Sequence, residues 1–130
     1  MVIDASVTLN AILPGEERLP PDNIYTAVVP ATWLLEVVNG LVAGERRGKL
    51  TAEALEVWRV ALEELALQIE IEPPVVDNYF RNIVDIARRF RLPAYDASYL
   101  ELAVRRRLPL ATLDQRLRAA AVEAGVKVLP

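Results

Sequence analysis

Short β-branched runs alternate with longer amphipathic segments along this chain, and that order constrains the fold more than any other feature. Strands separated by helices enter a sheet in the same direction, because parallel neighbours need a long crossover and a helix is the usual one. The candidate strands are Met1 to Asp4, Tyr25 to Val29, Leu108 to Thr112 and Val126 to Leu129, with Gln68 to Ile71 as a weaker fifth. Helical spacing joins Tyr79, Ile83, Ile86, Ala87 and Phe90, and again Tyr95, Tyr99, Leu102 and Ala103. Each set should lay one face on the core, as packing rather than as a cofactor site. At 130 residues the chain fills one core and needs no second. The expectation is a single domain over residues 1–130, an α/β fold with a largely parallel sheet.

Breakers mark the boundaries. Pro14 with Gly15, then Pro20, Pro21, Asp22 and Asn23, predict a surface loop after the first helix. Gly48 separates two helices, with Thr51 placed to cap the second. Pro73 and Pro74 end the weak strand, and Pro93 precedes the helix that carries Asp96.

The hydrophobic fraction of 53% and mean hydropathy of +0.22 raise the question of a membrane span. The most apolar stretch, Thr26 to Ala43, is interrupted by Pro30, Glu36 and Asn39, and falls short of the roughly 20 apolar residues a spanning helix needs. Met1-Val2-Ile3-Asp4 opens without the basic and apolar segments of a secretory signal. There is no Cys to build disulfides, which fits a reducing compartment. A cytoplasmic protein without a membrane partner is expected.

Net charge is -3, yet thirteen of the fifteen basic residues are Arg, and most are clustered. The clusters are Arg46, Arg47 with Lys49; Arg88, Arg89 with Arg91; Arg105, Arg106, Arg107; and Arg116 with Arg118. Arg presents a planar fork suited to phosphate. The plainer reading of each cluster is a solvated helix end paired with Glu, so the clusters permit a nucleic-acid partner without demanding one.

Four carboxylates, Asp4, Glu36, Asp96 and Asp114, lie inside or at the edge of apolar stretches, where an unpaired charge is costly. The chain has no His and no Cys, which removes the commonest general base, the thiolate nucleophile and the softer metal ligands. Clustered carboxylate oxygens alone suit Mg²⁺ or Mn²⁺. Asp4 and Asp114 each follow a candidate strand and precede a helix, and Asp96 opens its helix in the same sense. In a parallel sheet such corners share the carboxyl edge, where open α/β folds place ligands. Glu36 arrives from within a helix, on a small, polar face with Thr32, Asn39, Gly40 and Ala43, opposite Leu34, Val37, Val38 and Leu41. Gly40 is a poor helix residue, which suggests close approach by another element.

Each Asp alone reads equally well as a helix N-cap. The set is harder to explain that way, since only six Asp occur and three fall at these corners. Two carboxylates about 5 Å apart repel by roughly 3 kcal/mol at an effective dielectric near 20, so a group of them either raises a pKa or recruits a cation. Asp22 and Asp77 stand beside Pro pairs as turn residues, and Asp85 should face solvent.

At these residues the chain resembles a PIN-domain ribonuclease and, more narrowly, the VapC toxins of toxin–antitoxin pairs. Val2-Ile3-Asp4-Ala5-Ser6 is similar to the family's first strand, with Asp4 as metal-binding acid and Ser6 as its nearby hydroxyl. The run from Pro30 to Asn39 resembles its Pro, Glu, Val, Asn helix, giving Glu36 the acidic role and Asn39 a supporting one. Leu92 to Tyr99 matches the segment of the third acid, Asp96, and Ala111 to Leu117 that of the fourth, Asp114. The resemblance implies a three-layer α/β/α sandwich, Mg²⁺ or Mn²⁺ dependence, RNA phosphodiester cleavage, a homodimer and a cognate antitoxin. The acids would hold one or two ions that acidify a water for in-line attack on phosphorus. Ser6 and Thr112 would orient water or phosphate, while flanking Arg residues hold the RNA backbone.

Other readings differ in class. A phosphate-accepting domain also places Asp at strand ends, but one type wants a Lys near the last strands and the other a second Asp where Ser6 stands. A non-catalytic RNA- or protein-binding α/β domain is a further alternative, and a flap nuclease usually needs more chain and more acids.

Overall fold

The computed structural model describes residues 1–13, 23–73 and 77–129. Much of the loop predicted from Pro14 to Asn23, with Pro74, lies outside them. The described elements run β1 (Val2–Ile3), α1 (Ala5–Ile12), a 3₁₀ turn (Ile24–Thr26), β2 (Val28–Pro30), α2 (Thr32–Arg46), α3 (Ala52–Gln68), β3 (Glu70–Glu72), α4 (Tyr79–Phe90), α5 (Ala94–Arg106), β4 (Leu110–Ala111), α6 (Gln115–Glu123) and β5 (Val128–Leu129). All five strands predicted from the sequence are present, each shorter than its apolar run. The second differs most. Ala27 N–H bonds to Ile24 O, and Thr26 sends its N–H and its hydroxyl to Asn23 O. These local bonds satisfy the backbone before it reaches the sheet, so Tyr25 and Thr26 form a turn.

The strands form one sheet in the order β3-β2-β1-β4-β5, with every pairing parallel. Val2 pairs with Val28 on one side and Leu110 on the other. The chain winds from β1 outward to β3, then crosses to β4 and β5. Right-handed crossovers put α1, α2 and α3 on one face and α4, α5 and α6 on the other, giving the three-layer α/β/α sandwich. The order reverses between β1 and β4, and the crevice at their carboxyl ends is the place such folds reserve for ligands.

With helices on both faces, the central strands are buried throughout: Val2, Ile3, Leu110 and Ala111 are all core residues. Helix α5 crosses the middle of the sheet, and every residue from Ala97 to Ala103 is buried. Tyr99, Leu102 and Ala103 fill the core as their spacing predicts, whereas Tyr95, one turn earlier, is exposed. Helix α2 also differs from its predicted arc. Trp33, Val37 and Leu41 are buried, but Leu34 and Val38 face solvent. The core stripe is therefore set by Trp33, whose indole N–H reaches Thr8 Oγ1 at 3.2 Å.

Gly40 gives the expected close approach. A Cβ there would lie 2.3 Å from Leu9 Cδ1, so α1 and α2 pack through the missing side chain. Gly48, at φ +73°, reverses the chain after α2, and Thr51 Oγ1 accepts from Ala54 N–H at 3.1 Å to start α3. Asp85 is exposed, as predicted. No helix among the described residues is long and apolar enough to cross a membrane.

Candidate functional site

Asp4 sits directly after β1, where its N–H continues the pairing with β4 by bonding to Ala111 O at 3.0 Å. It holds the N-cap position of α1 yet makes no side-chain cap. The carboxylate turns inward, is only 5% exposed, and accepts two hydroxyl protons at Oδ2, from Ser6 at 2.6 Å and Thr112 at 2.7 Å. Ser6 Oγ in turn accepts from Leu113 N–H at 3.1 Å, and Thr112 Oγ1 from Asp114 N–H at 3.1 Å. Each hydroxyl has one proton to give, and both are directed at Asp4. Ser6 and Thr112 thereby clamp the buried acid to the loop after β4.

Glu36 projects from α2, and the Tyr99 hydroxyl donates to its Oε2. Burial pushes the Glu36 carboxyl above its ordinary pKa, the Tyr99 bond opposes this, and the charges of Asp4 and Asp96 add to it. Tyr99 is itself driven far above the usual phenol range, first by burial and then by its contact with Glu36. Asn39 lies three residues beyond Glu36 on the exposed side of α2.

Asp96 lies in the first turn of α5. Its pKa is pushed up to about 6, mainly by burial, then by the negative charges of Asp114 and Asp4, against the pull of Arg116. Asp114 is the one acid of the four that caps its helix, accepting Leu117 N–H at Oδ1 over 2.8 Å. The N-cap explanation therefore holds for Asp114 and fails for Asp4 and Asp96. Asp4 acts on both Glu36 and Asp96, Asp96 acts on Glu36, and Asp114 acts on Asp96. The four acids thus share one region of negative potential at the carboxyl edge of the sheet.

Two members of this neighbourhood were not identified from sequence. Tyr99 counts there only as core packing, although it follows Asp96 by three residues and so shares its helix face. A buried tyrosine hydroxyl needs a partner, and that need was the available signal. Arg116 lowers the pKa of Asp96; within its cluster, nothing in the sequence distinguishes it. Other Arg residues are engaged elsewhere. Arg105 pairs with Glu101 and Glu72, and Arg106 with Glu70 and Glu72, which closes the β3 edge with charge. Arg118 donates to the carbonyls of Thr112 and Leu129.

A cleft of about 260 Å³ opens at the ends of β2 and β3, lined by Thr32, Leu35, Tyr79, Asn82, Ser98 and Arg105 among others, and by none of the four acids. Ser98 lines it, with its hydroxyl 2.9 Å from that of Thr32.

Among the described residues no group of three or more acidic side chains forms a preassembled metal cage. The donor set nonetheless fits a hard cation. All four side chains offer oxygen, and the pKa values of Glu36 and Asp96 are raised, first by burial, with the neighbouring carboxylates adding to it.

Structural likeness extends over the whole chain. PAE2754 from Pyrobaculum aerophilum matches with a TM-score of 0.69 at 20% identity, covering 92% of this chain and 82% of that one. FitAcB from Neisseria gonorrhoeae matches with a TM-score of 0.64 at 20% identity, covering 99% of this chain and 96% of that one. At such identity these likenesses speak for the fold alone. Comparison with curated proteins finds no significant match. The family model of the PIN domain matches residues 1–123, and with this coverage, a parallel sheet and the acids at its carboxyl edge, the chain belongs to the PIN-domain family, whose members are typically metal-dependent nucleases.

Proposed function

We propose that this chain is a metal-dependent endoribonuclease that hydrolyses RNA phosphodiester bonds, the toxin of a toxin–antitoxin pair. The observation that carries the reading is the convergence of Asp4, Glu36 and Asp96 from β1, α2 and α5, where the charges of Asp4 and Asp96 help raise the pKa of Glu36 and that of Asp4 helps raise the pKa of Asp96.

Asp4, Glu36 and Asp96 would hold Mg²⁺ or Mn²⁺, with Asp114 contributing the oxygen that its cap leaves free. When bound, a divalent ion supplies positive charge at the scissile phosphate and makes a water acidic enough to attack near neutral pH. The chain's own groups set the geometry. The Ser6 and Thr112 hydroxyls hold the Asp4 carboxylate oriented in its buried position. Tyr99 holds Glu36. Asn39 lies near Glu36 on the exposed side, and Arg116 brings a guanidinium beside Asp96 for the RNA backbone.

The partners in this reading are RNA, a cognate antitoxin and a second copy of the chain in a homodimer, in the cytoplasm. Leu34, Leu35 and Val38 support a protein partner, since they leave large apolar side chains of α2 in solvent, with Leu35 76% exposed.

Incubating purified protein, freed of any bound partner, with an RNA pool and Mg²⁺ or Mn²⁺ tests the activity. Cleavage is expected, with loss of at least a hundredfold in Asp4→Asn and in Asp96→Asn while each stays folded. Full activity in Asp4→Asn would refute the assignment.

A further inference from the structure

We propose that Tyr99 is the positioning residue for Glu36, committing Oε2 to its hydroxyl and leaving Oε1 as the atom that meets a divalent cation. The inference rests on reading the acids as a cation site and adds to it which atom of Glu36 is available and what fixes it.

The hydroxyl belongs to a side chain with no solvent exposure, held among core residues of α5. Packing of the ring in the core restricts where it can lie. Its single proton is directed to Glu36. One oxygen atom therefore links two acid-bearing segments, α5 with Asp96 and α2 with Glu36. Glu36 needs such a link. It has three rotatable bonds, lies half-buried, and is repelled by Asp4 and Asp96. Without the hydroxyl, repulsion favours rotamers that take the carboxylate out toward solvent. With it, the carboxylate is held against that repulsion before any cation arrives. Groups that orient a metal ligand in this way typically change affinity by about 10- to 100-fold when removed.

Mn²⁺ binding by calorimetry on the purified full chain tests the role, with thermal unfolding as a fold check. Tyr99→Phe, which deletes one oxygen, should raise the Mn²⁺ dissociation constant about tenfold or more, while Tyr95→Phe on the exposed side of the same helix should leave it unchanged. In a Glu36→Gln background the Tyr99→Phe change should add little, because its effect passes through the Glu36 carboxylate; an equal further loss would mean that Tyr99 acts on the fold alone and would overturn the role. A second measurement needs no variant. The Tyr99 hydroxyl proton should give a slowly exchanging downfield NMR resonance that shifts on Mg²⁺ titration and persists at saturation, and its disappearance would count against the proposal. If the unaltered protein binds neither ion, the cation reading falls and the positioning role with it. If it binds Mn²⁺ and Tyr99→Phe binds equally well, only the positioning role falls.

Discussion

Thr112 and Asp4 stand 108 residues apart in sequence, and the Thr112 hydroxyl reaches Asp4 Oδ2 at 2.7 Å. The bond crosses from β4 to β1, the two strands at which the winding of the sheet reverses. It joins a buried charge to the loop that carries Asp114, because the same hydroxyl accepts Asp114 N–H.

Thr112→Val, which keeps the shape and deletes the hydroxyl, should destabilise the metal-free protein by about 1.5–3 kcal/mol, the range for a lost hydrogen bond to a charged group. Thr112→Ser should lose less than about 1 kcal/mol, since it retains the donor. Urea unfolding at pH 7 reads both. A Val variant as stable as the parent would show that the buried Asp4 carboxylate is held without this clamp.

The sequence reveals the class of fold because the signals that specify it are local. β-branched runs, proline and glycine breakers and helical spacing all act over a few residues, and five strands and their order of appearance follow from them. The convergence of Asp4, Asp96 and Asp114 was readable too, since a parallel sheet sends all its carboxyl ends to one edge. The uses of Ser6, Thr112 and Tyr99 were not, because each depends on a partner supplied by another element. The misjudged arc of α2 has a similar origin: Leu34 and Val38 are as apolar as Val37 and Leu41, and only the placement of Trp33 and the seat of Leu9 on Gly40 decide which turns inward.

Gly40 makes that contact testable. Gly40→Ala should gain helix propensity worth about 1 kcal/mol yet destabilise the protein overall. The new methyl would meet Leu9 Cδ1, Cδ2 and Cγ at 2.3, 2.5 and 2.9 Å, so the whole Leu9 side chain must rotate. Overpacking of this kind typically costs about 1–3 kcal/mol. Combining it with Leu9→Ala should yield a double variant more stable than additivity predicts, measured by thermal unfolding. Strict additivity would place the helix contact elsewhere.

Asp96 should make the metal-free protein less stable as pH rises. Its pKa is about 6 when folded against an ordinary value of 3.8, so the folded state binds the proton more tightly through that window. Stability therefore falls as pH climbs from about 4 to about 6 and stays lower above it. The raised pKa of Glu36 acts in the same direction. Asp96→Asn removes its share of this slope, so at pH 7 the variant should unfold at a higher temperature than the parent, with the gap closing near pH 4. Cation affinity should run the other way, rising with pH through about 6 as Asp96 ionises. Melting curves from pH 4 to 8, with and without Mg²⁺, read both effects; an Asp96→Asn variant with unchanged pH dependence would remove Asp96 from the negative pocket.

Asp114 has two roles to separate, since it caps α6 through Oδ1 and also raises the pKa of Asp96. Asparagine keeps the cap and drops the charge, whereas alanine drops both. Asp114→Asn should hold stability within about 0.5 kcal/mol while Asp114→Ala loses about 1 kcal/mol, the usual worth of an N-cap. Both should bring the Asp96 titration below about 6, followed by carboxylate NMR, because one of the two repelling charges is gone. If the second oxygen of Asp114 serves a cation, Asp114→Asn should also cut RNA cleavage about tenfold or more, the scale seen when a group supporting a metal site is lost. An Asn variant with full cleavage and a lowered Asp96 pKa would leave Asp114 as a cap whose charge tunes its neighbour from a distance.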